Sequence, residues 1–261
     1  MEDSGAVVQE GAEQAARGDR AAEHCMEAEK HIAEFVERLK QAIGTNLECL
    51  ALFGSAVSEE FHPGFSDVNT LCIVRELSAA TLDTLAPAFA WWSRKKYPAP
   101  LVFSRTELER SADVFAIELF DICQRHRVVY GEDIFKSMQV PMDKHRVQLE
   151  HDLRAKLLTL RQLYIQAAGD DGKVRKLMLD SVPNFGTLFR HAMIVLGMQP
   201  GIHRADVIRA LADHLKFDPE VFLQLIEVRA RKTKESEVNT RGGFARYMEG
   251  IDKVIQALDA L

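Results

Sequence analysis

Leu52-Phe-Gly-Ser-Ala-Val-Ser-Glu-Glu-Phe-His-Pro-Gly-Phe-Ser-Asp-Val-Asn-Thr-Leu-Cys-Ile-Val74 is the stretch that decides how this chain folds. Leu47 to Phe53 is apolar except for Glu48, and Thr70 to Val74 is a second short apolar run. Both are bounded by turn-forming or polar residues, which predicts two buried strands. Between them come a Gly54-Ser55 turn, a polar loop closed by Pro63-Gly64, and Ser66-Asp67 opening the second strand. Strand alternation puts Asp67 and Asn69 on one face, with Val68 pointing the other way. Such a layout suits phosphate chemistry. A glycine lets a phosphate approach the backbone closely, and a following serine supplies a hydroxyl and an N–H for its oxygens. An acid delivered to the same edge can hold Mg²⁺ against that phosphate.

Outward from this stretch the pattern alternates before it turns helical. Residues 24–43 carry apolar positions at helical spacing (Ile32, Phe35, Val36, Leu39, Ile43), and Gly44 and Asn46 end them. Ala79 to Lys96 is helical in pattern with Pro87 inside it, and Leu101 to Phe103 is a third short strand. Ser111 to Tyr130 reads two ways: Ile117, Phe120 and Ile122 suit a helix, while Val128 to Tyr130 looks extended. After Pro141, five segments keep a 3.6-residue period: Lys144–Ala168, Lys173–Leu196, Arg204–Leu215, Pro219–Lys234 and Phe244–Leu261. Asp218 before Pro219 reads as an N-cap with proline at the first helical position. The expected organisation is a disordered tail over residues 1–22, a mixed α/β domain over 23–140, and a helical bundle over 141–261. The fold class is α+β.

Composition bounds the rest. An apolar fraction of 47% and a charged fraction of 28% are those of a globular protein. A net charge of -6 argues against a sequence-independent grip on long nucleic acid, which needs a basic surface to displace counterions. No apolar run has the length of a membrane helix, and no charged-then-apolar leader opens the chain, so a cytoplasmic protein is expected. Cys25, Cys49, Cys72 and Cys123 are scattered without a CxxC pair. Each reads as a small buried hydrophobe in a reducing compartment. Cys123 and His126 have ligand-like spacing, but no second pair completes a zinc site.

The ordered pattern of Gly54-Ser55, a polar spacer and Ser66-Asp67 opening a strand resembles the polymerase-β-like nucleotidyltransferase superfamily, which includes the aminoglycoside and kanamycin nucleotidyltransferases. The match covers roughly residues 30–135, and the helical half looks like the bundles that follow this domain in such enzymes. The resemblance implies a mixed sheet with flanking helices, nucleotide contacts at Gly54, Ser55 and Ser66, and Asp67 as catalytic carboxylate and metal ligand. It also implies Mg²⁺ (or Mn²⁺) as cofactor, a nucleoside triphosphate as ligand, and transfer of a nucleoside monophosphate to a hydroxyl acceptor. A turn between two core strands is the plain alternative.

Two positions depart from the superfamily's pattern. The second acid of its Asp-x-Asp is Asn69 here, and Pro100-Leu-Val-Phe-Ser104 offers no third carboxylate. Asn69 lends a carbonyl oxygen as a metal ligand but no charge, so the pair suits one Mg²⁺ better than the two that the transfer mechanism uses. Glu118 and Asp121 are supporting acids that would complete the site. The alternative is that they pair with Arg125, His126 or Arg127. Arg154, Lys156, Arg161, Tyr164, Arg190 and His191 are candidates for a triphosphate, and equally polar faces of amphipathic helices. Three functional readings follow: a nucleotidyltransferase, an inactive relative serving as nucleotide sensor or protein-interaction module, or a vestigial cleft beside a helical bundle that does the work as a homodimer.

Overall fold

The computed structural model describes residues 26–57, 68–167 and 169–261. The tail expected over residues 1–22 and the spacer acids Glu59 and Glu60 lie outside them, as does His62. Helix α1 runs over 26–43 and buries Ala28, Ile32, Phe35 and Leu39, spaced three and four apart on one stripe. A 3₁₀ turn at Gly44–Asn46 leads into β1, Leu47–Phe53. Then follow β2 (Asn69–Val74), α2 (Ala79–Arg94), β3 (Leu101–Ser104), α3 (Arg105–Arg110), α4 (Ala116–Gln124) and β4 (His126–Gly131).

The four strands form one sheet in the order β3-β2-β1-β4, which places the two strands read from the sequence at its centre. β1 pairs antiparallel with both neighbours, while β3 runs parallel to β2. A parallel pair needs a crossover, and α2 supplies it. Ser78 caps α2 by accepting from the Thr81 N–H, and Pro87 sits inside that helix without splitting it. The register of β1 on β2 shifts between Leu47 and Cys49. The extra residue there brings Leu47 onto the same face as Leu50 and Leu52, all packed in one core with Cys72 and Val74. Phe35 of α1 stacks on Trp92 of α2 at 4.6 Å, and Trp92 donates its indole N–H to the Pro98 carbonyl.

Thr70 points into this core, 2% exposed, and its hydroxyl meets no hydrogen-bond partner among the described residues. A buried hydroxyl left unmade loses its water without compensation. Thr70→Val keeps the branched shape and removes the orphan. It should leave stability unchanged or raise it by about 1 kcal/mol. Chemical denaturation checks this, and a loss of stability would mean that the hydroxyl is bonded after all.

By their contacts the residues fall into two compact units, one up to Ser111 with Phe120–Gln139, the other Ala112–Leu119 with Val140–Leu261. The first half of α4 belongs to the second unit. There Ala116 donates its N–H to the Gln148 side chain, and Gln148 donates to the Val114 carbonyl. The rest of that unit is α5 (His145–Ala167), α6 (Asp171–Val195), α7 (Arg204–Leu215), α8 (Glu220–Arg229) and α9 (Thr240–Asp259). Helix α6 touches each of the other four and buries Val174, Met178, Val182, Phe185 and Phe189 along one side. Asp218 accepts from the Glu220 N–H at 2.9 Å, and Pro219 has helical dihedrals, the expected cap with proline at the first turn. No described helix is long and apolar enough to cross a membrane.

Candidate functional site

β1 ends at Phe53, and the chain turns at Gly54 with φ +73°, a left-handed conformation that side-chain-bearing residues rarely adopt. A 3₁₀ turn over Gly54–Val57 follows and touches β1, β2 and β4. A Cβ added to Gly54 would sit 3.1 Å from the side-chain nitrogen of Asn69, so the turn is packed directly on that amide. Sequence and geometry agree here on why glycine stands at 54: both the backbone angle and the neighbour ask for it.

Phe53 pairs with Asn69 on one side and with His126 on the other. Directly opposed residues of antiparallel strands share a face, so Asn69, Phe53 and His126 form one row across the sheet at the Gly54 end. The next row, Thr70, Leu52 and Arg127, faces the opposite side, where Arg127 donates to Glu29 of α1 at 2.6 Å. Asn69 is half-buried at the start of β2, after the buried Val68. Ser66 and Asp67 lie outside the described residues, and so does the side chain of Ser55.

The fit to a divalent cation can be judged from the donors. Among the described residues no group of three or more His, Cys, Asp or Glu is placed to hold a metal. Asn69 contributes one neutral oxygen at this end of the sheet, and β3, paired to β2 from Leu71↔Leu101 to Val74↔Ser104, adds no carboxylate. A single Mg²⁺ carried on a phosphate chain fits such a set if Asp67 joins it; a pair of ions does not.

The two supporting acids part company. Glu118 is exposed in the first turn of α4, and Asp121 is half-buried one turn on. Of the three basic residues weighed as their partners, Arg125, His126 and Arg127, the last two each meet another acid. Arg127 reaches Glu29. His126 is only 11% exposed, with Nδ1 2.8 Å from the Ile122 carbonyl and Nε2 2.9 Å from the Asp133 carboxylate. Each ring nitrogen thus faces an oxygen acceptor. Burial pushes the Asp133 carboxyl up, but hydrogen bonds from His126 and Lys136 outweigh it and hold the group below the ordinary carboxylate range.

This also disposes of the Cys123 and His126 spacing as half of a metal site, since the imidazole is committed elsewhere. Burial pushes the Cys49 and Cys72 thiols up to about 12, which keeps them neutral and unreactive. The pairing of His126 with Asp133 is the contact at this sheet edge that the sequence pattern did not reveal. Its one signal was a histidine opening a strand with an acid just past the strand's end.

In the helical unit, the candidate cations have local partners. Arg154 bonds Glu150 and Asp259, and Arg161 bonds Asp252. Tyr164 stacks on Phe244 at 3.9 Å, and buried His191 meets buried His145 at 2.8 Å. For Arg154 and Arg161 these contacts fit the reading of amphipathic helix faces, whereas His191 lies on the buried side of α6.

No protein-family model matches the chain, and no curated protein does. Among solved structures, spectinomycin adenyltransferase AAD(9) from Enterococcus faecialis, solved with ATP and spectinomycin, is similar over 88% of this chain and 98% of its own, with a TM-score of 0.53 and 15% identity. The resemblance first read at Gly54-Ser55 and Ser66-Asp67 is borne out at the level of architecture: the chain has the α+β fold of a nucleotidyltransferase.

Proposed function

We propose that this chain binds a nucleoside triphosphate with Mg²⁺ at the loop after β1. Gly54 and Ser55 would receive the phosphates with Ser66, and Asp67 with Asn69 would hold the metal ion. The observation that carries this reading is the left-handed Gly54 turn seated on Asn69, within a fold shared with an adenyltransferase that was solved with ATP. Such a turn opens backbone N–H groups toward an anion, and Asp67, two residues before β2 in sequence, would bring the cation that the triphosphate carries. When bound, Mg²⁺ would neutralise phosphate charge and orient the chain of phosphates. The residues of this chain would grip, orient and exclude water.

The adenyltransferase it resembles was solved with ATP and spectinomycin, which supports a hydroxyl-bearing small molecule as the second ligand. Transfer itself requires a group that takes the hydroxyl proton. The Asn69–Phe53–His126 row holds no free base: Asn69 is an amide and both nitrogens of His126 are occupied. That observation favours a second reading, a nucleotide-binding protein without transfer activity. Incubation with labelled ATP and a panel of hydroxyl acceptors separates the two. Label retained as ATP with every acceptor supports the sensor. Robust labelling of an acceptor establishes the transferase, and points to Glu118 or Asp121 as the missing acid.

A further inference from the structure

The proposed binding leaves one part-buried titratable pair at this end of the sheet unused, His126 with Asp133. His126 opens β4 opposite Phe53, the residue immediately before the Gly54 turn. Its ring is held at three points: the Ile122 carbonyl at the end of α4, the Asp133 carboxylate past the end of β4, and the ring of Phe135 at 4.9 Å. Lys136 lies 3.2 Å from the second oxygen of Asp133 and fixes that carboxylate in turn. The Gly54–Val57 turn leans on β4 as well as on β1 and β2, so β4 is one of its three walls. No other described contact ties the first residue of β4 to both flanking segments.

We propose that His126, clamped by Asp133 and the Ile122 carbonyl, is a positioning residue: it pins the start of β4 against Phe53 and so holds the Gly54 turn in the geometry that receives phosphate. It is not a base or a ligand, because neither nitrogen is available. The proposal rests on the nucleotide-binding reading for its purpose, but the clamp itself is tested without nucleotide.

Hydrogen exchange on the intact chain gives that test. His126→Phe keeps the ring against Phe135 and removes both hydrogen bonds. His126→Gln restores a donor toward Asp133. A hydrogen bond to a charged group is strong enough that its loss should speed exchange of the 53–57 amides about tenfold. Amides of α1 and α2, which pack on the other face, should keep their wild-type rates, and His126→Gln should recover part of the protection. Asp133→Asn, which retains the shape of the clamp and removes its charge, should act in the same direction and serves if His126→Phe does not fold. Unchanged 53–57 amides in a folded variant would overturn the proposal. Uniform acceleration across the whole unit would also overturn it, since that is what a merely structural residue gives. ATP·Mg affinity, measured on the same proteins, should weaken in step with the exchange. If the wild type binds no ATP while the exchange pattern appears as expected, the clamp stands and the nucleotide reading falls.

Discussion

Gly131→Ala should destabilise the α/β unit by roughly 3–5 kcal/mol, among the largest effects of a single methyl group in this chain. Gly131 closes β4 at φ +82°, opposite Cys49, where the register of β1 shifts. A Cβ there would fall 1.8 Å from the Glu48 carbonyl oxygen, a backbone atom that cannot swing aside. Two penalties therefore combine. The left-handed backbone costs an alanine about 1–2 kcal/mol, and the β1 strand must move to relieve the clash. Denaturant unfolding followed by tryptophan fluorescence measures it, since both tryptophans lie in α2 of the same unit. A loss under 1 kcal/mol would mean that the strand ends are looser than described.

Much of this architecture is legible in the residues alone, for physical reasons. β1 and β2 declare themselves because each is a short apolar run fenced by turn formers, and α5 to α7 because their periods are long and unbroken. What escaped depends on contacts that no local pattern carries. α3 is only six residues, Arg105–Arg110, and its signal was the capping box of Ser104 with Glu107 rather than any apolar stripe. The boundary between α4 and β4 lies inside one continuous apolar stretch, where helix and strand periods compete. α8 was expected to run on to Lys234 but ends at Arg229. Arg231 turns left-handed at φ +56°, and Lys232 donates back to the Glu227 carbonyl. This is the closure that glycine usually makes at a helix end, and an arginine in that role gives no warning.

The same division runs through the site. The glycine at 54 and the amide at 69 could be read as neighbours, because a turn and a strand period place them. That His126 bonds Asp133 could not be, since the pairing depends on where β4 ends and the chain turns back. Glu118 and Asp121 looked alike in sequence, as acids in an apolar segment. Helical geometry then left one exposed and the other half-buried.

Asn69→Asp addresses the acid deficit. A carboxylate in place of the amide should tighten Mn²⁺ or Mg²⁺ binding about tenfold, because it adds an anionic oxygen ligand whose attraction for a divalent ion outweighs the cost of its desolvation. Calorimetric titration with Mn²⁺ reads the change. Transfer activity should not appear with it, because β3 still lacks a carboxylate and no general base is added. Metal affinity that stays the same would mean that position 69 takes no part in holding a cation.

Every proposed role at the loop after β1 depends on nucleoside triphosphate and Mg²⁺ meeting there. Calorimetric titration of the intact protein with ATP and with GTP, in the presence and absence of Mg²⁺, measures it, with Asp67→Ala run beside the wild type. If nucleotide and metal meet there, the wild type should show saturable, Mg²⁺-dependent binding that Asp67→Ala abolishes while its melting temperature stays nearly unchanged. No binding of either nucleotide to the wild type at millimolar concentration would contradict it, and so would full binding by Asp67→Ala.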